Sequence, residues 1–279
     1  MDEVYRVENV RDFNLEHIFD CGQCFRWNPE DDGSYTGVAF DKRINVRFAP
    51  YDEGGFNGDL FLSPCTEQEY LEIWKDYFDM DRDYGRLKLE LAEEDDVVSR
   101  AIPYGEGIRI LRQDLNEVIF SFIISQNNNI PRIKGCIERL CQLKGERRED
   151  RYGEYYTFPS AEVLARLEPE DLAPVRLGYR ARYITETARQ IMEWGYPKGE
   201  ADILKFTGVG PKVASCIALF GLGDYASFPV DVWVKRLMNK LYGFKENDVR
   251  GMKNFADETF GEMGGIAQQY LFYYIRQVS

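Results

Sequence analysis

Residues Leu204-Lys205-Phe206-Thr207-Gly208-Val209-Gly210-Pro211-Lys212-Val213-Ala214 decide the fold of this chain. A short helical segment stops at Thr207. Two glycines then enclose one valine, and a proline stands where a second helix would begin. Proline suits a first helical turn, and glycine permits positive φ or a close backbone approach. The expected result is a tight hairpin between two helices, with the amides of the second helix facing outward. Such amides suit one phosphate. A plain helix–helix turn satisfies the same spacing. Lys212 falls in the first turn of the second helix, where a cation opposes the helix dipole. Burial would push its pKa in the same direction, down toward a neutral, nucleophilic amine. An exposed lysine on a phosphate is the simpler alternative. Further on, Phe228-Pro229-Val230-Asp231-Val232-Trp233 places Asp231 before an apolar-periodic segment. It reads as a helix N-cap. A carboxylate held there could also stabilise a developing sugar cation and organise proton transfer.

Outward from the hairpin, helices are expected at about 160–167, 180–194, 201–206, 211–221 and 231–241, with a last one near 265–277. Asn116–Ser125 carries an apolar face and stops at Asn127-Asn128-Asn129. Pro131 then opens a helix with Ile133, Cys136, Ile137 and Leu140 on one side. Residues 145–158 read as a loop or small hairpin. The first third is different. Asn14 can cap a helix through Phe19, and Cys24–Trp27, Ser34–Phe40, Arg43–Phe48 and Leu60–Leu62 are strand candidates. The Asp41-Lys42 pair is the expected hairpin turn. An acidic helical stretch at about Glu67–Phe78 leads into a charged connection ending near Asp96. The fold class is therefore α+β: an antiparallel sheet lobe over 1–96, then an all-helical body over 97–279.

The chain has 279 residues, 44% of them apolar, ample for a packed core. No apolar run approaches the roughly 18 residues of a membrane span. The start, MDEVYRVENV, lacks the pattern of a secretory signal. Six scattered cysteines suggest free thiols in a reducing compartment. One histidine, His17, excludes HExxH and C2H2 zinc sites and argues against a serine–histidine triad. No metal held by side chains is expected. The net charge of −13 at first opposes a nucleic-acid partner. Yet residues 1–96 hold 10 basic and 25 acidic residues, and residues 97–279 hold 25 and 23. The acidity belongs to the first third, so the helical portion is free to present a cationic face.

Thr207–Cys216, followed by Phe228–Trp233, resembles the helix-hairpin-helix, Gly-Pro-Asp superfamily of DNA glycosylases. The catalytic lysine of that superfamily matches Lys212, and its aspartate matches Asp231. The further resemblance is to the 8-oxoguanine DNA glycosylase/lyase branch. It is carried by Cys21-Gly22-Gln23-Cys24-Phe25-Arg26-Trp27, by Ser121–Arg132 (SFIISQNNNIPR), by Gly178–Tyr183 (GYRARY) and by Ala267–Phe272 (AQQYLF). These segments span nearly the whole chain in the family's order.

The resemblance implies an enzyme that flips a damaged nucleotide from the duplex. Gly22 would offer its carbonyl to the hydrogen on nitrogen-7 that 8-oxoguanine has and guanine lacks; a side chain would block that approach. A redox reading of Cys21–Cys24 is disfavoured because Phe25-Arg26-Trp27 reads as a strand, not a helix. Gln268 and Phe272, four apart, would hydrogen-bond and stack on the flipped base, with Cys216 on its other face. By residue type alone all three read as packing residues. Asn127 would enter the vacated space, Arg132 and Arg180 would contact the orphaned cytosine, and Tyr179 would wedge the opposite strand. Gly208 and Gly210 would bring backbone to phosphate. Trp233 departs from the pattern: animal members carry a histidine there, used on a phosphate, whereas an indole N–H donates without charge.

The resemblance implies no required cofactor and leaves open a monovalent cation on the hairpin carbonyls. No cysteine follows Cys216, so the iron–sulfur loop of the oxidised-pyrimidine branch cannot exist. Relatives that remove adenine or alkylated bases usually lack the lysine. The partner is double-stranded DNA containing 8-oxoguanine, with no membrane, and the enzyme is expected to act as a monomer in the cytoplasm or nucleoid of a prokaryote. Two readings compete with an 8-oxoguanine enzyme. One is a sister glycosylase for another oxidised base. The other is a non-catalytic helix-hairpin-helix module, which explains the glycines but not Lys212, Asp231 and the base-pocket set together.

Overall fold

The computed structural model describes residues 3–278. Five antiparallel strands form the N-terminal sheet: β1 Tyr5–Val10, β2 Trp27–Pro29, β3 Tyr35–Ala39, β4 Lys42–Pro50 and β5 Gly58–Ser63, in the order β1-β5-β4-β3-β2. In β4, Ile44 and Val46 are fully buried while Arg47 is exposed, the alternation expected of a half-covered sheet. Ala39 pairs with Lys42, so the turn is Phe40-Asp41, one residue earlier than expected. Both turn residues have positive φ, the geometry of a two-residue hairpin. The expected strand at Cys24 begins only at Trp27, because Cys21 and Phe25 leave the sheet and join the helical core. Strand β1 was not legible in the sequence.

The sheet's covered face packs on the helical stretch Glu67–Glu69, Tyr70–Trp74 and Lys75–Tyr77, whose middle turn is π-helical. Trp27 stacks on Phe19 at 4.1 Å, and its indole N–H donates to the Tyr77 hydroxyl at 2.7 Å, so a polar atom enters the core already paired.

The second core belongs to the helices. Leu115–Ser125 is buried from Val118 through Ile124, as a helix apolar on all sides must be. The charged connection expected before Asp96 is instead the helix Tyr84–Glu94, capped by Asp83 and sending Leu91 into this core. A further unexpected helix, Val249–Phe260, buries Met252, Ala256 and Phe260 at intervals of four. The body is not all-helical: Arg147–Asp150 (β6) and Gly153–Tyr156 (β7) form the small hairpin allowed for at 145–158.

Arg109, nearly buried, joins lobe to body by donating to the backbone carbonyls of Arg11, Asp12 and Asp79. Between the two cores runs Cys21–Phe25. That crossing carries Gly22 to the cavity described next.

Candidate active site

The hairpin forms as its glycines dictate. Helix Glu200–Ile203 ends, Val209 N–H donates back to Phe206, and Pro211–Leu222 begins at Pro211 with Gly210 as N-cap. Gly208 has φ +75°, and a methyl group there would lie 2.3 Å from the Tyr183 ring, so space and backbone both demand glycine. Gly210 is different. Its φ is −98° and nothing lies within 4 Å of an added methyl, so its missing side chain leaves the helix N-terminus uncovered. No side chain caps that terminus.

One face of Pro211–Leu222 then points Lys212, Cys216 and Phe220 into a single cavity, as a spacing of four requires. Phe122 from the central helix, Pro229 and Asp231 from the next loop, Gln268, Gln269 and Phe272 from the last helix, and Cys21 and Gly22 from the lobe complete the lining. Lys212 is half-buried, with Nζ 5.6 Å from the centre of the Phe122 ring. Asp231 caps helix Val232–Tyr242: its Oδ1 accepts from Val234 N–H at 2.8 Å. The cap fixes the carboxylate and is worth about 1 kcal/mol. Burial raises the Asp231 pKa above the ordinary carboxylate value, outweighing the lowering by the capped amide and by Lys212. Burial likewise raises Cys216, with Lys212 opposing it more weakly.

Gly22 has φ +83°. An added methyl would meet Phe272 at 3.7 Å, ordinary contact, so backbone conformation rather than lack of space requires glycine within the free chain. Gln23, fully buried, fixes the turn. Its amide donates to the carbonyls of Ile18 and Arg109 and accepts from Leu111 N–H, each at 2.8 Å. Nothing in the local pattern assigned Gln23 such a role; the signal was a lone amide between Gly22 and Cys24 in the uncharged Cys21–Phe25 stretch. Cys21 and Cys24 are buried free thiols with pKa values raised by burial, Cys21 to about 12, chemistry unsuited to thiol exchange.

The three asparagines divide the labour. Asn128 Nδ2 donates back to Ile124, closing one helix, and Asn129 caps the next by accepting from Arg132 N–H. Asn127 is left between them, exposed, with φ +46°. Arg180 is only 4% exposed, and its guanidinium donates to the carbonyls of Gln126, Asn127 and Leu177. It also lies 4.5 Å from the exposed Tyr179 ring, which meets Tyr183 edge-on at 5.5 Å. Tyr183 in turn covers Gly208. Asn127, Arg180, Tyr179 and the hairpin therefore form one continuous strip. Arg132 is exposed at the start of its helix. Trp233 is half-buried, with the Arg236 guanidinium 5.2 Å from its ring.

Among the described residues, no group of three or more His, Cys, Asp or Glu is placed to hold a metal, and no helix is long and apolar enough to cross a membrane.

A family model described as 8-oxoguanine DNA glycosylase, N-terminal domain, matches residues 7–119, and one described as HhH-GPD superfamily base excision DNA repair protein matches residues 120–260. The chain is 30% identical over 296 residues to N-glycosylase/DNA lyase OGG1 of Arabidopsis thaliana, covering 94% of this chain and 77% of that one. It is 33% identical over 213 residues to a probable N-glycosylase/DNA lyase of Methanothermobacter thermautotrophicus, covering 66% and 68%. Among solved structures, the apo form of Clostridium acetobutylicum 8-oxoguanine glycosylase/lyase is 40% identical, with a TM-score of 0.91 over 98% of this chain and 97% of that one. The same enzyme bound to double-stranded DNA with cytosine opposite 8-oxoG gives 38% identity and a TM-score of 0.90, covering 100% and 99%.

Proposed function

The chain belongs to the 8-oxoguanine DNA glycosylase family within the HhH-GPD superfamily of base-excision DNA repair proteins, and on that premise we propose that it is a bifunctional glycosylase/lyase excising 8-oxoguanine opposite cytosine. The observation that carries this reading is the meeting of Lys212 and Asp231, from the starts of two different helices, in one cavity with Gly22, Cys216, Gln268 and Phe272.

The chemistry follows from those groups. The damaged nucleotide leaves the stack and enters the cavity, at a cost of a few kcal/mol. Gly22 offers a carbonyl to the hydrogen on nitrogen-7; Cys216 and Phe272 flank the base, and Gln268 meets its edge. As the glycosidic bond breaks, its electron pair leaves with the base, and the Asp231 carboxylate stabilises the cationic sugar. The Lys212 amine, its proton passing to the departing base, forms a bond to C1′, and opening of the sugar, with a second amine proton moving to O4′, gives a Schiff base. Loss of the C2′ proton then expels the 3′ phosphate, and water releases the lysine. Asn127 fills the vacated stack, Tyr179 wedges the opposite strand, Arg132 faces the cytosine while Arg180 holds the Asn127 loop in place through its backbone carbonyls, and the uncovered amides after Gly208 and Gly210 receive a phosphate. Backbone dipoles let a chain of net charge −13 hold DNA. No cofactor takes part. A monovalent cation on the hairpin carbonyls belongs to the same reading, held by main chain rather than side chains. The enzyme works as a monomer on the nucleoid of a prokaryote.

The test uses single-lesion duplexes, scoring base release and strand cleavage separately, with borohydride trapping. The wild-type chain should release 8-oxoguanine and cross-link. Lys212→Gln should bind the same duplex while both signals fall to background. A cross-link formed by Lys212→Gln at the normal rate would show that another amine is the nucleophile.

A further inference from the structure

Next to Gln268 on the last helix stands a second glutamine. Gln269 is 3% exposed and lines the same cavity. Its Nε2 donates to Gln268 Oε1 at 2.8 Å. Its own Oε1 is buried without a hydrogen-bond partner among the described residues. A buried amide oxygen left unpaired is costly and is retained where something else supplies the missing hydrogen. Reversing the Gln269 amide alone would set oxygen against the Gln268 oxygen, and reversing both amides would leave the Gln269 Nε2 unpaired in its place, so an unmet polar atom of Gln269 remains either way.

The bond between the two amides has a second consequence. One lone pair of Gln268 Oε1 is engaged by its neighbour, which fixes the amide so that its Nε2 hydrogens point the other way as free donors. The pair thus offers a donor from Gln268 and an acceptor from Gln269. A guanine-type base presents the complement along one edge: O6 accepts, and N1–H and the exocyclic 2-amino group donate. An adenine-type base presents a donor at position 6 and an acceptor at N1, the opposite order.

We infer that Gln269 is a specificity-determining residue of the lesion pocket: its Oε1 accepts a hydrogen from the 2-amino side of the flipped guanine-derived base, while its Nε2 fixes the orientation of Gln268. The inference rests on the proposed glycosylase reading and deepens it.

The test pairs a protein change with a base change. Two duplexes carry, opposite cytosine, either 8-oxoguanine or its analogue lacking the 2-amino group, and single-turnover base release is measured for wild type and Gln269→Leu. Comparing ratios cancels the easier flipping of the weaker pair. In the wild-type enzyme, removal of the amine should slow release about tenfold, the value of one hydrogen bond in a dry site. In Gln269→Leu the same removal should change the rate by less than about threefold. Equal ratios in the two proteins would overturn the inference while leaving the glycosylase reading intact. Release of neither base by the wild-type chain would overturn the glycosylase reading and this inference with it. Should Gln269→Leu fail to fold, Gln269→Glu keeps an acceptor at the same position. It should retain the preference for the amine, and loss of that preference would equally refute the role.

Discussion

The Arg180 guanidinium donates to the main-chain carbonyl of Asn127 at 2.9 Å, tying a residue of one helix start to the exposed tip of another loop. Arg180 and Arg132 are therefore not equivalent arginines. Arg180 is buried and spends donors on three backbone carbonyls, those of Leu177, Gln126 and Asn127. Arg132 is exposed.

Substituting the two should separate loop placement from base reading. Arg180→Ala removes charge-assisted bonds worth about 1.5–3 kcal/mol each, so the Asn127 loop should shift. Excision should fall roughly tenfold or more whichever base lies opposite the lesion. Arg132→Ala should instead flatten the preference for cytosine over adenine, by about 1–3 kcal/mol. Excision rates on four duplexes differing only in the opposite base decide this. A cytosine preference unchanged in Arg132→Ala would place discrimination elsewhere.

The two hairpin glycines should respond differently to alanine. Gly208→Ala drives a methyl into the Tyr183 ring and strains a positive φ, so the melting temperature should drop along with DNA affinity. At Gly210 the space is open and the backbone ordinary. Gly210→Ala should change stability by no more than about 0.5 kcal/mol while weakening DNA binding. Calorimetry beside a binding titration separates the two, and an unaltered affinity in Gly210→Ala would remove this helix start from the DNA contact.

Asp231 should set the acid limb of the reaction. Burial raises its pKa, so the carboxylate is lost at a higher pH than an exposed aspartate would require. Base release under single turnover should decline as pH falls through that raised value. Asp231→Asn keeps a good helix cap. Its melting temperature should therefore stay close to wild type while base release is slow and the acid limb disappears. An Asp231→Asn profile with the same acid limb would assign that ionisation to another group.

Stability should carry its own pH signature from Glu117. This carboxylate lies 3.6 Å from Arg26, and burial raises its pKa to about 7 despite that partner. An unfolded glutamate ionises near about 4.3. The folded state thus holds the proton over a window where the unfolded chain has released it. Glu117's contribution is favourable at the acid end and is lost as pH rises from about 4.3 through about 7, at about 1.4 kcal/mol per unit of displacement. Urea midpoints of the wild-type chain measured from pH 5 to 8 should show this decline, and Glu117→Gln should show a flatter profile whatever its absolute stability. Parallel profiles would mean that Glu117 ionises normally.

What the sequence determined by itself was local. The hairpin of Leu204–Ala214, the Asp231 cap and the shared faces of Lys212 with Cys216 and of Gln268 with Phe272 all rest on neighbours within four residues, where backbone geometry alone fixes direction. The division into a sheet lobe and a helical body was legible from periodicity for the same reason. Other elements were hidden. The helix Tyr84–Glu94 is so rich in charge that its buried Leu91 gave no stripe, and β1 lacks clean alternation, with only Val10 fully buried. Only tertiary structure decided what meets what. Gly22 lines one cavity with Phe272, 250 positions later, because the Cys21–Phe25 crossing leaves the sheet for the helical core. The division of Arg180 from Arg132, and the unpaired oxygen of Gln269, exist only once distant segments exclude water around them. Burial is a property of the whole packed chain, so the environments that tune Asp231, Glu117 and Gln269 have no local sequence pattern to announce them.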